Sequence, residues 1–263
     1  MFKPSSAPVS DAARISAQLA EAGAAAERQD YEAALAIWVG LAHAGNARAQ
    51  AEIGRCFLNA WGVERDAGLA RTWLHLSAKA ADPLGQRLLG DFHFNGEDGK
   101  PDRAIAEEWY ARAAAQGDAQ AQDMLSWILT DGDHRKPDYA QARAWATAAA
   151  DQGVAASMTR LGLLYHNALG VERDALEAAR WWQRSAALGD ADGQAMLGVA
   201  HHLGAGVAKD SVRALAWLTL ARAARSRFAD RYYNAVRASC TPDQCRQAEA
   251  MAYLPPETWG TAP

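Results

Sequence analysis

Few residues in this chain have a type and spacing that could do chemistry. His201 and His202 are adjacent, Cys240 and Cys245 lie five apart, and His93 sits among aliphatic and aromatic neighbours. A bound metal would need several such donors facing one point. Adjacent residues of a helix point to different faces, which argues against His201 and His202 sharing an ion. The two cysteines come without the further ligands a zinc site requires. His93 and His201 occupy the same place in a repeat, where the body of the ring reads as core packing. The sequence holds no His-Glu-x-x-His, no Gly-x-x-x-x-Gly-Lys, no Gly-x-Gly-x-x-Gly and no Gly-x-Ser-x-Gly, and Gly204-Ala205-Gly206 reads as a loop. No catalytic residue, cofactor or metal ligand is therefore expected.

Composition narrows the remaining classes. Of 263 residues half are apolar, and 27 basic against 31 acidic side chains give a net charge of −4. No basic excess exists to neutralise a phosphate backbone, so nucleic acid is not an expected partner. The Ala-rich stretches are broken by Arg14, Glu21, Glu27, Arg71, Arg112 and Arg143, leaving no run of the roughly 18 apolar residues a membrane span needs. Residues 1–10 read as a disordered tail, since no apolar stretch follows Lys3. Three cysteines cannot all pair, which argues against a disulfide framework and favours a cytoplasmic placement, the periplasm being second.

The elements that position these side chains follow from a repeat. Trp73, Trp109, Trp145, Trp181 and Trp217 are each 36 residues apart. The same register holds Asp66, Asp102, Asp138, Asp174 and Asp210, then Ala70, Ala106, Ala142, Ala178 and Ala214. Upstream it holds Ile53, Leu89, Leu125, Leu161 and Leu197, followed by Gly54, Gly90, Ser126, Gly162 and Gly198. Gly-Val-Glu-Arg-Asp-Ala occurs verbatim at 62–67 and 170–175. Five full units cover 47–226, and Asp30, Ala34, Ile37, Ala42 and Gly45 mark a degenerate opening unit over 11–46.

Counting from each Asp, the recurring positions fall at +4, +7, +11 and +12, one stripe of a helix with the Asp as its N-cap. That helix ends near Gly117, Gly153 or Gly189. An earlier helix carries the Leu-Gly pair and a larger residue at Phe57, His93, Leu129, Tyr165 or His201, and closes at Gly96, Gly132 or Gly204. Each unit is a helix–loop–helix, with the tryptophans expected to fill the space between successive pairs.

The run from Leu161 to Gly189, Leu-Gly-x-x-Tyr-x-x-x-x-Gly-Val-x-x-Asp-x-x-x-Ala-x-x-Trp-x-x-x-Ala-Ala-x-x-Gly, resembles the Sel1-like repeat, a relative of the tetratricopeptide repeat. The resemblance covers about residues 30–226. Ala60 and Ala168 depart from it at the inter-helix Gly, and Ser126 at the helix Gly. It implies an all-α fold, a right-handed α/α solenoid of 36-residue repeats, and protein–protein adaptor work in bacteria. Residues 227–263 would close the solenoid as capping helices and tail, with Thr241 to Leu254 resembling the closing helix of bacterial members.

In tetratricopeptide-like solenoids the side of the first helix opposite its core stripe lines a concave groove, and the resemblance carries this over. Relative to each Leu, these are positions −5, −2, +2, +5 and +6. They give Arg48, Arg55 and Asn59; then Arg87, Asp91, Phe94 and Asn95; then Asp123, Trp127 and Asp131. The next two units supply Ala156, Thr159, Leu163, His166 and Asn167, followed by Asp192, Val199 and His202. Apolar residues rimmed by charge are what a binding surface presents, although tight curvature would pack them against neighbouring first helices instead. Asn59, Asn95 and Asn167 either bond an extended peptide backbone or cap their own helices, and capping is the plainer reading. The expected function is a non-enzymatic adaptor holding a protein or peptide segment. The alternative is an immunity-type inhibitor covering another protein's active surface; oligomeric state is left open. Hydrolysis or β-lactam binding, known among cysteine-rich relatives, lacks an activated nucleophile here.

Overall fold

The computed structural model describes residues 11–259, and the tail expected over 1–10 lies outside them. Among the described residues are fourteen α-helices and no strand. They are α1 Asp11–Glu27, α2 Tyr31–His43, α3 Ala47–Asn59, α4 Ala67–Lys79, α5 Pro83–Asn95, α6 Arg103–Ala115 and α7 Ala119–Asp131. There follow α8 Tyr139–Asp151, α9 Ala155–His166, α10 Ala175–Ala187, α11 Ala191–Leu203, α12 Ser211–Ala223, α13 Arg227–Ala238 and α14 Pro242–Ala252. None of these helices is long and apolar enough to cross a membrane. The chain divides into two compact units, Met1–Ala121 and Gln122–Pro263. In the first, α3 packs on α4 and beside α5; in the second, α9, α11 and α13 pack side by side, each of α9 and α11 against its own second helix.

The recurring Asp does two jobs. Its carboxylate accepts from the backbone N–H three residues on, Asp66 from Leu69, Asp102 from Ile105, Asp138 from Gln141, Asp174 from Glu177 and Asp210 from Arg213. Its own N–H donates to the carbonyl of Phe57, His93, Leu129, Tyr165 or His201, closing each inter-helix loop. First helices have caps of their own, which no single residue type announces: Asn46, Asp82, Asp118 and Asp190 do this, while Val154 offers no side-chain bond.

The tryptophan ladder differs from its sequence expectation. Trp73, Trp109, Trp145 and Trp181 are only half-buried, and Trp217 alone is buried. The residue after each one is the plug: Leu74, Tyr110, Ala146, Trp182 and Leu218 are all buried, as is Trp38 at the same place in the opening unit. A step of +4, +8, +11 and +12 from the Asp stays on one helical face, whereas +7 falls on its flank. There Arg112 and Arg184 cover Trp109 and Trp181 at 4.4 and 4.3 Å, a cation–π contact. The plugs explain the small residue of the first helix. A Cβ at Gly54, Gly90 or Gly198 would sit 2.7–2.9 Å from Leu74, Tyr110 or Leu218, and one at Gly162 would overlap Trp182. Where the register has Ser126 instead of Gly, the plug is Ala146.

Ala60 and Ala168, standing where other units have Gly, adopt φ of 56°. An L-residue in this left-handed region costs about 1–2 kcal/mol relative to its ordinary conformations. Ala60→Gly and Ala168→Gly are therefore each expected to stabilise by about 0.5–1 kcal/mol after the extra flexibility of unfolded Gly is deducted. Urea midpoints check this, and an unchanged or lower midpoint would show the strain to be relieved elsewhere.

Candidate functional site

In the first unit the charged stripe residues are held by partners in the chain itself. Arg48 pairs with Asp82 at 3.0 Å, and Arg55 pairs with Glu52 at 2.5 Å while lying 5.3 Å from the Trp61 ring. Arg87 bridges Asp91 and Asp118, each at 3.2 Å. Asp91 also accepts a 2.7 Å bond from the Tyr110 hydroxyl. Burial pushes its carboxyl above the usual range, against the pull of Tyr110 and Arg87. Glu52 is raised for the same reason. Asn59, the last residue of α3, turns its amide back on its own helix and donates to the Arg55 carbonyl at 2.8 Å, while Ala60 is the C-cap. Phe94 lies beside Tyr110, ring centroids 6.5 Å apart, with Arg103 over it at 5.7 Å, and Asn95 is the exposed last residue of α5. Arg48 ties α3 to Asp82 at the head of α5, Arg87 ties α5 to Asp118, and Arg55 is held within α3; a guanidinium held by a carboxylate must give up that partner before it can serve another.

The second unit is different. Trp127, Thr130 and Asp131 of α7, Thr159, Arg160 and Leu163 of α9, and Phe228 of α13 line a hollow of about 310 Å³, with Asp190 and Asp192 at its edge. Asp123 does not reach it. That carboxylate is buried, accepts a 2.5 Å bond from Ser157 and pairs with Arg160 at 2.6 Å; it orients the arginine that does line the hollow. Asp190 is likewise engaged, capping α11 and accepting from Thr159 at 2.7 Å. Asp192 accepts from Ser226 at 2.6 Å.

The remaining stripe residues lie elsewhere. His166 is half-buried with its ring 5.5 Å from Trp182, its pKa lowered by burial and by Arg173. Asn167 is the C-cap of α9, its backbone N–H donating to the Leu163 carbonyl. Val199 packs against the core of the C-terminal helices, and His202 is half-buried on α11. His201 is buried, its Nδ1 3.1 Å from the Ala208 carbonyl and its pKa lowered by burial.

Sequence reasoning missed Phe228, and a signal existed. Counting the 36-residue register once more, from Asp192, lands on Phe228, and three residues on lies Arg231. Assigning everything after 226 to a cap hid this. A second hollow of about 590 Å³ adjoins the first, sharing Asp192 and Phe228 and lined also by Arg225, Arg227 and Arg231.

Comparison with known proteins agrees with the fold. The chain is similar to a Sel1 repeat protein from Oxalobacter formigenes at 26% identity, covering 89% of this chain and 98% of that one with a TM-score of 0.74. At 19% identity and a TM-score of 0.50 it shares the fold of a putative Sel1 repeat protein from Klebsiella pneumoniae, over 76% of this chain and 97% of the other. The immunity protein Pa5087 from Pseudomonas aeruginosa has the same fold at 20% identity and a TM-score of 0.50, over 85% of each chain. No curated protein matches the chain. The Sel1 repeat pattern itself matches five times, at 47–82, 83–118, 119–154, 155–190 and 191–225, without a gap. With two thirds of its residues in such hairpins, the chain belongs to the Sel1 repeat family.

Proposed function

We propose that this chain is a non-enzymatic adaptor that holds a segment of a partner protein on the first-helix face of its repeats, centred on the hollow between α7, α9 and α13. Sel1 repeats are in general protein-interaction scaffolds. The observation that carries the finer reading is the lining of that hollow: Trp127, Leu163 and Phe228 supply an apolar floor, and Asp131, Arg160 and Asp192 a polar rim. Aromatic anchors set inside a polar rim are where interface energy concentrates. The end elements support their role as caps. Only Ala22 and Ala25 are buried in α1 and only Ala248 in α14, and α14 exposes Asp243, Arg246, Gln247 and Glu249, a polar outer face of the kind terminal repeats need. Three free thiols, Cys56, Cys240 and Cys245, suit the reducing conditions of the cytoplasm.

Trp127→Ala tests the site. It is expected to weaken a partner captured by the wild-type chain by about 2 kcal/mol, a usual hot-spot loss, and to leave helicity and melting temperature nearly unchanged, because the side chain is half-buried. Titration calorimetry on the captured partner and circular dichroism give the two readouts. Unfolding would make Trp127 part of the core, and unchanged affinity would move the site to another face.

A further inference from the structure

The two adjoining hollows of the second unit have opposite characters. Trp127, Leu163 and Phe228 make one apolar. The other is walled by Arg225, Arg227 and Arg231 against the single carboxylate of Asp192, which already accepts from Ser226. All three arginines are exposed. Among the described residues none of them has a carboxylate within ion-pair distance, whereas Arg222, on the preceding helix, pairs with Asp230. Arg231 only overlies its neighbour Tyr232, at 5.6 Å. Arg227 is the first residue of the twelve-residue α13, whose amino end adds positive potential on the same side. The contrast with the first unit is plain. There Arg48, Arg55 and Arg87 are all committed to carboxylates of the chain itself.

From this charge asymmetry we infer that the segment held on this face is an acidic linear peptide of a partner protein, with an apolar or aromatic anchor side chain in the Trp127–Leu163–Phe228 hollow and Asp or Glu side chains beside it on Arg225, Arg227 and Arg231. Each guanidinium offers a planar fork matched to a carboxylate. Phe228 and Asp192 border both hollows, so anchor and acid would be close along the peptide. Asp192 stands at the junction and disfavours an acidic residue immediately there, which places the acids past it on the arginine side. The inference rests on the adaptor reading and specifies its partner.

The test is selection of random twelve-residue peptides displayed on phage against the full chain, the triple variant Arg225→Glu/Arg227→Glu/Arg231→Glu, and Trp127→Ala. Wild type is expected to enrich peptides with one aromatic or aliphatic residue followed by Asp or Glu. Synthetic copies of these should bind at least tenfold more weakly to the triple variant, lose affinity as sodium chloride is raised, and lose affinity to Trp127→Ala. Selection on the triple variant should turn to Lys and Arg. Should the triple variant melt early, the single variants Arg227→Gln and Arg231→Gln, each several-fold weaker, carry the same test. Selected peptides that need Trp127 but carry no acidic bias and ignore the arginines would overturn this inference and leave the adaptor site standing. Peptides indifferent to both, or no enrichment at all, would overturn the two together. Arginine-dependent binding of heparin or of a single-stranded RNA twelve-mer without peptide enrichment would overturn the peptide as occupant.

Discussion

Trp182→Ala is expected to destabilise the chain by about 3–5 kcal/mol, the usual result of deleting a large aromatic from a close-packed interior. Trp182 is 1% exposed, its indole N–H donates to the Thr159 carbonyl at 3.3 Å, and it lies over Gly162. Trp181→Ala, one residue away, should cost less than half as much, since that ring is half-buried and covered by Arg184. Gly162→Ser alone should also destabilise, because its Cβ would overlap the indole. Combined with Trp182→Ala it reproduces the arrangement of Ser126 and Ala146. The double variant should then recover about 1–2 kcal/mol relative to the sum of the singles, the coupling expected of contacting residues. Equal losses for Trp181→Ala and Trp182→Ala in urea titrations would show that the flank tryptophan is as much a core residue as its neighbour.

The next largest effect is expected at Asp123. Asp123 is 9% exposed, and its carboxylate meets both Arg160 and Ser157. Asp123→Ala leaves a largely buried guanidinium without its partner, and breaking such a pair destabilises by about 3–5 kcal/mol. Replacing both partners by apolar residues, Asp123→Leu with Arg160→Met, should restore most of this. Arg48→Ala is the control: its pair with Asp82 joins an arginine side chain that is 44% exposed, and such pairs contribute less than about 1 kcal/mol. A denaturation midpoint for Asp123→Ala close to that of Arg48→Ala would mean that water, not the ion pair, satisfies Arg160.

Much of the hairpin was legible because identity repeats. Five Asp caps and five alanines four residues on could be read from spacing alone, and the second helices begin directly after those caps. The plug was not legible. Leu74, Tyr110, Ala146, Trp182 and Leu218 share a position but range from Ala to Trp, so no single residue type marks it. The conserved-looking Trp beside it drew attention to the flank instead. The candidate site was half legible for a similar reason. Helical geometry put Trp127 and Leu163 on one face, yet it could not show that Arg87 and Asp123 are tied up by partners 31 and 34 residues away. Those ties depend on how one hairpin sits on the next, a relation that no single-helix projection contains.

The fit between plug and small residue also says where this gene can be cut and rejoined. Positions 54 and 74, 90 and 110, 126 and 146, 162 and 182, and 198 and 218 hold matched partners inside one hairpin. A crossover between the two members of a pair joins Gly162 to Ala146 and leaves a void, or joins Ser126 to Trp182 and makes a clash. A crossover at the junctions, beside Gly117-Asp118, Gly153-Val154 or Gly189-Asp190, separates no pair. The module that duplication and recombination can move intact is therefore the whole hairpin, beginning at a first-helix cap. The verbatim hexapeptide at 62–67 and 170–175 lies between the two members of a matched pair in each module.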